Sequence, residues 1–175
     1  MKKSLLCLAL YSAVGLLALN AAAQGATYSN GSATATMVVS LTIQPGCTIA
    51  ATPMTFTAVH GSATGPVAAQ STLSVSCTAS TGYNIGLNAG TTANSTELNR
   101  LLAGTLTGNT TTIPFGLYQD SGHATPWGNT QGTNTLGDSG SGVLKTYTVY
   151  GQATLSSTMP TPDIYTSTVT ATVYF

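Results

Sequence analysis

The 175-residue sequence predicts an all-β fold of sandwich size. Three observations carry that prediction. Thr occurs 33 times and Gly 19 times. Apolar residues, many of them β-branched, alternate with polar ones at period two, between Gly/Asn/Pro/Ser clusters. Beyond the first 23 residues, helix-forming runs of Leu, Glu, Lys and Ala are missing.

Taken in order, the chain opens with Lys2 and Lys3, an apolar run through Leu19, and Ala21-Ala22-Ala23. A charged start, an apolar middle and a small-residue end predict a secretory signal peptide over residues 1–23. The mature chain of about 152 residues then carries Arg100 and Lys145 against Glu97, Asp120, Asp138 and Asp163, a net charge of −2. Two cations cannot follow a phosphate backbone, so nucleic-acid binding is excluded as a function class. No later apolar stretch reaches the roughly 18 residues a spanning helix needs. One domain is expected at this length.

The next segment is one of the cleanest amphipathic strands in the chain. Ala33, Ala35, Met37, Val39, Leu41 and Ile43 point one way. Ser32, Thr34, Thr36, Ser40 and Thr42 point the other, with Val38 the exception. Period-two alternation of this length implies that one face is buried. The pattern alone leaves two readings open. The segment packs in its own sandwich, or it is supplied to a neighbouring copy by strand addition to an open edge. Burying Met37, Val39, Leu41 and Ile43 contributes on the order of 6–12 kcal/mol. Ordering about ten residues costs roughly 10–20 kcal/mol. Added ladder hydrogen bonds and the loss of an open edge must supply the difference.

Pro45-Gly46 breaks this strand before Cys47. Cys47 and Cys77 remain after the signal is removed, and an even pair in an exported protein predicts a disulfide. A short strand is expected from Cys47 through Ile49, extending toward Phe56. Further strands are predicted at Leu73–Cys77, Tyr83–Leu87, Ile113–Leu117 and Leu144–Gly151. A closing strand is predicted with Tyr165, Val169, Ala171, Val173 and Phe175 on one face. That makes about six strands in a sandwich-sized domain. A helical turn fits Ser95–Leu102, and residues 121–142 read as a long Gly/Ser/Thr/Asn loop.

The ordered set resembles the spore coat protein U domain family, which includes subunits of archaic (Csu-type) chaperone–usher pili. Its elements are the alternating segment running into Gly46-Cys47-Thr48-Ile49, Leu73-Ser74-Val75-Ser76-Cys77-Thr78, Tyr83-Asn84-Ile85-Gly86-Leu87-Asn88-Ala89-Gly90 and Arg100-Leu101-Leu102. They continue with Pro114-Phe115-Gly116-Leu117-Tyr118-Gln119-Asp120, Thr148-Val149-Tyr150-Gly151 and residues 162–175. The last-strand motif departs from the family's G-x-Y-x-D: Asp163 precedes Tyr165, and Ser167 stands where the later Asp would be.

The resemblance implies an incomplete immunoglobulin-like sandwich whose final strand is missing. Residues 1–23 would be the signal, 24–45 a donor-strand extension, and 46–175 the pilin-type domain. Ala35, Met37, Val39, Leu41 and Ile43 would fill a neighbour's groove. Cys47–Cys77 would be the family disulfide. Val169, Ala171, Val173 and Phe175 would face a periplasmic chaperone, whose basic residues would anchor the terminal carboxylate. The partners implied are that chaperone, an outer-membrane usher and neighbouring pilus subunits. The place implied is the surface of a Gram-negative bacterium, reached through the periplasm.

No catalytic, metal or cofactor constellation is expected. His60 and His123 are the only histidines, and Asp120 with His123 makes two ligands where a site needs three or more. There is no G-x-S-x-G elbow, and nothing marks a carboxylate pair. Trp127 is expected to tuck over an end of the sandwich rather than to stand exposed as a contact anchor. The function expected is a non-enzymatic pilus subunit that polymerises by donor-strand exchange and supports adhesion and biofilm. Two alternatives are a self-complemented secreted or coat-type monomer and a carbohydrate-binding adhesin. A tip adhesin would be expected to need an additional receptor domain.

Overall fold

The computed structural model describes residues 30–175. The signal segment 1–23 and the start of the extension, 24–29, lie outside the described residues. The chain divides at Leu41/Thr42 into two parts.

In the first part, residues 30–41 join no strand, and Met37, Val39 and Leu41 are more than four-fifths exposed.

The second part is all-β, with no helix among the described residues. In chain order its strands are β1 (Cys47–Ala51), β2 (Gly65–Cys77), β3 (Gly82–Leu87), β4 (Arg100–Gly104) and β5 (Thr112–Tyr118). β6 (Leu136–Ser139), β7 (Lys145–Leu155), β8 (Tyr165–Thr166) and β9 (Ala171–Tyr174) follow. Six form one sheet in the order β1-β2-β7-β5-β4-β8, and three form a second in the order β6-β3-β9. Every pairing is antiparallel. This is the two-layer sandwich expected of alternating strands, whose apolar faces can be buried only against each other.

Its core is Leu73, Val75, Ile85, Leu87, Phe115, Leu117, Val149 and Ala153, drawn from alternate positions of four strands. Trp127 sits within it at 0% exposure, with its indole N–H donating to the Ile85 carbonyl at 2.8 Å.

Nine strands replace the six expected, and four differences are informative. First, β2 begins at Gly65, eight residues before Leu73. Val67, Ala69 and Ser71 carry too little apolar area to signal a strand, and the ladder with β7 is what fixes it. Second, the helical turn at Ser95–Leu102 does not form. Thr96 and Asn99 instead exchange backbone hydrogen bonds across a tight turn, and Arg100–Gly104 pairs with β5. Third, the 121–142 loop contains β6, which pairs with β3.

Fourth, the closing strand is broken. Tyr165–Thr166 pairs with β4 in the larger sheet, and Ala171–Tyr174 pairs with β3 in the smaller. Residues 167–170 cross between the sheets, held by Thr168 N–H on Thr91 Oγ1 and Thr170 N–H on Asn88 Oδ1. The single apolar face expected from Tyr165 to Phe175 is thereby divided. Val169 lies in the crossover, and Phe175 is 61% exposed.

The β1 strand stops at Ala51, short of Phe56. Met54 and Phe56 turn into the core, Met54 against Gly151 and Phe56 edge-on to Phe115 at 6.5 Å. A Cβ at Gly151 would stand 2.2 Å from the Met54 sulfur, so glycine makes that packing possible.

Candidate functional site: an unfilled gap between two strand edges

Among the described residues β1 pairs only with β2, and β9 pairs only with β3, so each ends its sheet. Their Cα atoms nevertheless approach within 8 Å of each other. No ladder joins them.

The direction of each backbone group follows from the bonds at the strand ends. In an antiparallel strand the N–H and C=O of one residue point to one side, and those of the next point to the other. Thr78 N–H donates to the Gly46 carbonyl, and Thr52 N–H donates to the Thr72 carbonyl. Gly46, Thr48, Ala50 and Thr52 therefore face β2, leaving the main-chain groups of Cys47, Ile49 and Ala51 on the open side. Asn88 N–H donates to the Thr170 carbonyl. Thr170, Thr172 and Tyr174 therefore face β3, leaving Ala171, Val173 and Phe175 on the open side. Two rows of unpaired donors and acceptors thus border one gap.

The side chains beneath this gap are apolar. Cys47, Ile49, Val169, Ala171 and Val173 are partly buried against the core, which is the condition of walls one strand short of closure. Neither bordering strand carries a charged side chain. At one end the start of β1 and the end of β9 meet around a depression of about 550 Å³, lined by residues that include Pro45, Thr81, Gly82 and Phe175. The two edges therefore run in opposite directions. A strand laid between them would be parallel to one wall and antiparallel to the other, and because ladders on both of its sides set the walls about 9.5 Å apart, the edges would have to part where they now approach within 8 Å.

The Cys47–Cys77 disulfide joins the first residue of β1 to the last of β2 and pins one wall. Of the residues that the sequence put at this site, Ala171 and Val173 are on the wall strand. Val169 lies just before it and Phe175 just after. Ile43 is 78% exposed, and Ala35 is also exposed, as are Met37, Val39 and Leu41.

Several supports hold these walls, and sequence reasoning missed most of them. Arg100 is 1% exposed, and its guanidinium donates to the carbonyls of Leu87, Asn88, Glu97 and Trp127 at 2.6–2.8 Å. It ties the end of β3, and hence β9's partner, to the Trp127 segment. Desolvation lowers its pKa to about 10, with Glu97 and Tyr118 opposing, so it stays charged at neutral pH. The Glu97 carboxylate is held below its ordinary range, first by Asn129 N–H, against burial, and then by Asn134, Thr130 and Arg100.

Across the opposite end, Tyr147 Oη donates to Asp138 at 2.5 Å and also bonds Tyr83 Oη, while Lys145 Nζ meets Asp138 at 3.0 Å. The Tyr147 bond, the Ser139 N–H and Lys145 lower the Asp138 carboxyl to about 2. Burial and these same partners push the Tyr147 phenol up.

Asp163, displaced from its family position in the sequence, accepts from Thr105 Oγ1, Leu106 N–H, Asn109 Nδ2 and Ile164 N–H. Desolvation raises its pKa, and those hydrogen bonds outweigh it, bringing the carboxyl to about 2. Ser167, at the position of the later Asp, has a buried hydroxyl with no partner among the described residues.

Asp120 and His123 do not converge on a shared point. Asp120 binds the Ala124 and Thr125 amides, while His123 lies edge-on to Tyr118 with Nδ1 3.3 Å from Gln152 Nε2. His60 is exposed in another loop.

Comparison with known proteins is consistent with this arrangement. No curated protein matches the sequence. Among solved structures, a chain of the crystal structure of the CsuC–CsuE chaperone–tip adhesion subunit pre-assembly complex, from archaic chaperone–usher Csu pili of Acinetobacter baumannii, matches with a TM-score of 0.55 at 22% identity. The match covers 77% of this chain and 41% of that one, and at this identity it shows the fold. The Spore Coat Protein U domain profile matches residues 33–172, a span that takes in the alternating segment, β1 and the start of β9. The chain belongs to the Spore Coat Protein U domain family.

Proposed function

We propose that this chain is a non-enzymatic structural subunit of a chaperone–usher surface pilus and that it polymerises by donor-strand exchange. The observation that carries the reading is the gap itself: two unpaired edges above an apolar floor, in a chain whose segment from Ala33 to Ile43 alternates at strand period and is exposed. An added strand would satisfy both rows of main-chain groups and bury Ala35, Met37, Val39, Leu41 and Ile43 in the gap of the next subunit. The partition proposed is a signal at 1–23, a donor extension at 24–45 and a receiving domain at 46–175. A periplasmic chaperone would fill the gap first, along Val169, Ala171, Val173 and Phe175, and an outer-membrane usher would exchange it for a subunit. The fibre would stand on the surface of a Gram-negative cell and serve adhesion and biofilm formation. The chaperone and pilus named for the structural neighbour support this reading.

The test is deletion of residues 24–43 behind an intact signal, with co-expression of the host's periplasmic chaperone. The expected product is a 1:1 chaperone complex that folds but cannot donate to another subunit. Loss of all folding in the chaperone's presence would instead make the segment part of its own sandwich, and the pilus reading would fail.

A further inference from the structure

The face of the six-stranded sheet turned away from the core has no part in the gap. In β1, β2, β7 and β5 the outward residues include Thr48, Thr72, Ser74, Thr148, Tyr150 and Gln152, since their neighbours in each strand point into the core. None of the outward positions in these four strands is charged, and no aliphatic side chain there exceeds alanine or proline. Cross-strand register sets the hydroxyls in rows, Thr48 beside Ser76 and Thr72 beside Thr148.

Two aromatic residues break this surface. Tyr118 and Tyr150 are cross-strand partners, both half-buried. Tyr118 folds back over Gly116, where a Cβ would stand only 2.4–2.7 Å from its Oη, Cζ and Cε2, so glycine gives the ring its resting place on the sheet. His123 and Gln152 form the rim beside it. The hydroxyls of Tyr83, Tyr147, Tyr165 and Tyr174 all have hydrogen-bond partners. Those of Tyr118 and Tyr150 have none among the described residues.

We propose that this outer face binds a neutral, hydroxyl-rich polysaccharide. Sugar rings are uncharged, present an apolar C–H face to aromatic rings, and exchange hydrogen bonds with hydroxyl and amide groups; the face offers both in one plane. The absence of charge fits a ligand that has none. A second protein copy fits less well, because protein interfaces are anchored by clusters of large apolar or Arg side chains, and across β1, β2, β7 and β5 this face has none beyond the two tyrosines, Leu101 standing alone farther along on β4.

The test uses the full mature chain, with buried Trp127 emission as the check on folding. Depletion onto microcrystalline cellulose, chitin and amylose is compared with depletion onto polygalacturonate. The expected result is saturable binding to at least one neutral polymer that persists at high salt. Tyr150→Ala and Thr148→Lys, both on the outer face, are each expected to weaken it about tenfold or more with Trp127 emission unchanged. Four outcomes overturn the proposal: no neutral polymer bound, binding confined to the acidic polymer and lost with salt, binding indifferent to both variants, or self-association that Thr148→Lys abolishes. Donation of the 24–43 segment is measured separately, so failure here leaves the pilus reading standing.

Discussion

Arg100 holds a buried positive charge whose partners are all backbone carbonyls. Replacing it by leucine leaves four carbonyls, from Leu87, Asn88, Glu97 and Trp127, without their donor. Stranded buried partners cost about 1–3 kcal/mol each, and such losses overlap, so Arg100→Leu is expected to destabilise by about 3–5 kcal/mol. A urea titration followed by Trp127 fluorescence reads this directly. Asp138 makes a prediction about acid. Its folded pKa of about 2 lies below the ordinary 3.8, so its contribution is present above the ordinary value and is lost as pH falls through the folded one. The urea midpoint is expected to drop from pH 4 to pH 2, and Asp138→Asn, weaker at neutral pH, is expected to drop less. The carboxylate is one-third exposed, so solvent screening moderates the effect.

For the elements, the gap turns on which side of β1 and β9 is unpaired, and hydrogen exchange reports that. Amides of Thr172 and Tyr174, turned toward β3, are expected to be protected, while those of Ala171 and Val173 exchange fast. Adding a peptide of residues 33–43 is expected to slow the second pair. Slow exchange at Ala171 and Val173 in the chain without added peptide or chaperone would mean the edge is already covered. Most strands were legible because β-branched and aromatic residues mark them, as at Tyr83–Leu87 and Ile113–Leu117. The first half of β2 was not, because Ala68, Ala69 and Gln70 have no strand preference of their own. The break between β8 and β9 left no trace, for a geometric reason. A chain that passes from one layer to the other keeps pointing alternate residues at the same core, so its period does not change.

In the molecule as a whole, the Cys47–Cys77 bond closes a 30-residue separation at the rim of the gap. The chain-entropy model gives about 3–4 kcal/mol for a loop of this size. The double variant Cys47→Ser/Cys77→Ser is expected to lose about that much in urea unfolding, and an unchanged midpoint would remove the disulfide from the account of the wall. The sequence by itself determined the all-β class, the apolar sides of most strands, the cysteine pair and the amphipathic character of residues 33–43. These are local properties, written in alternation and composition. Only the tertiary structure decided that β1 and β9 end their sheets next to each other, that Arg100 lies inside on four carbonyls, and that Trp127 sits within the core rather than over one end of the sandwich. Each depends on which distant strand lies alongside, and that is set by long-range ladders and by the shape of the shared core, which no short window of residues contains.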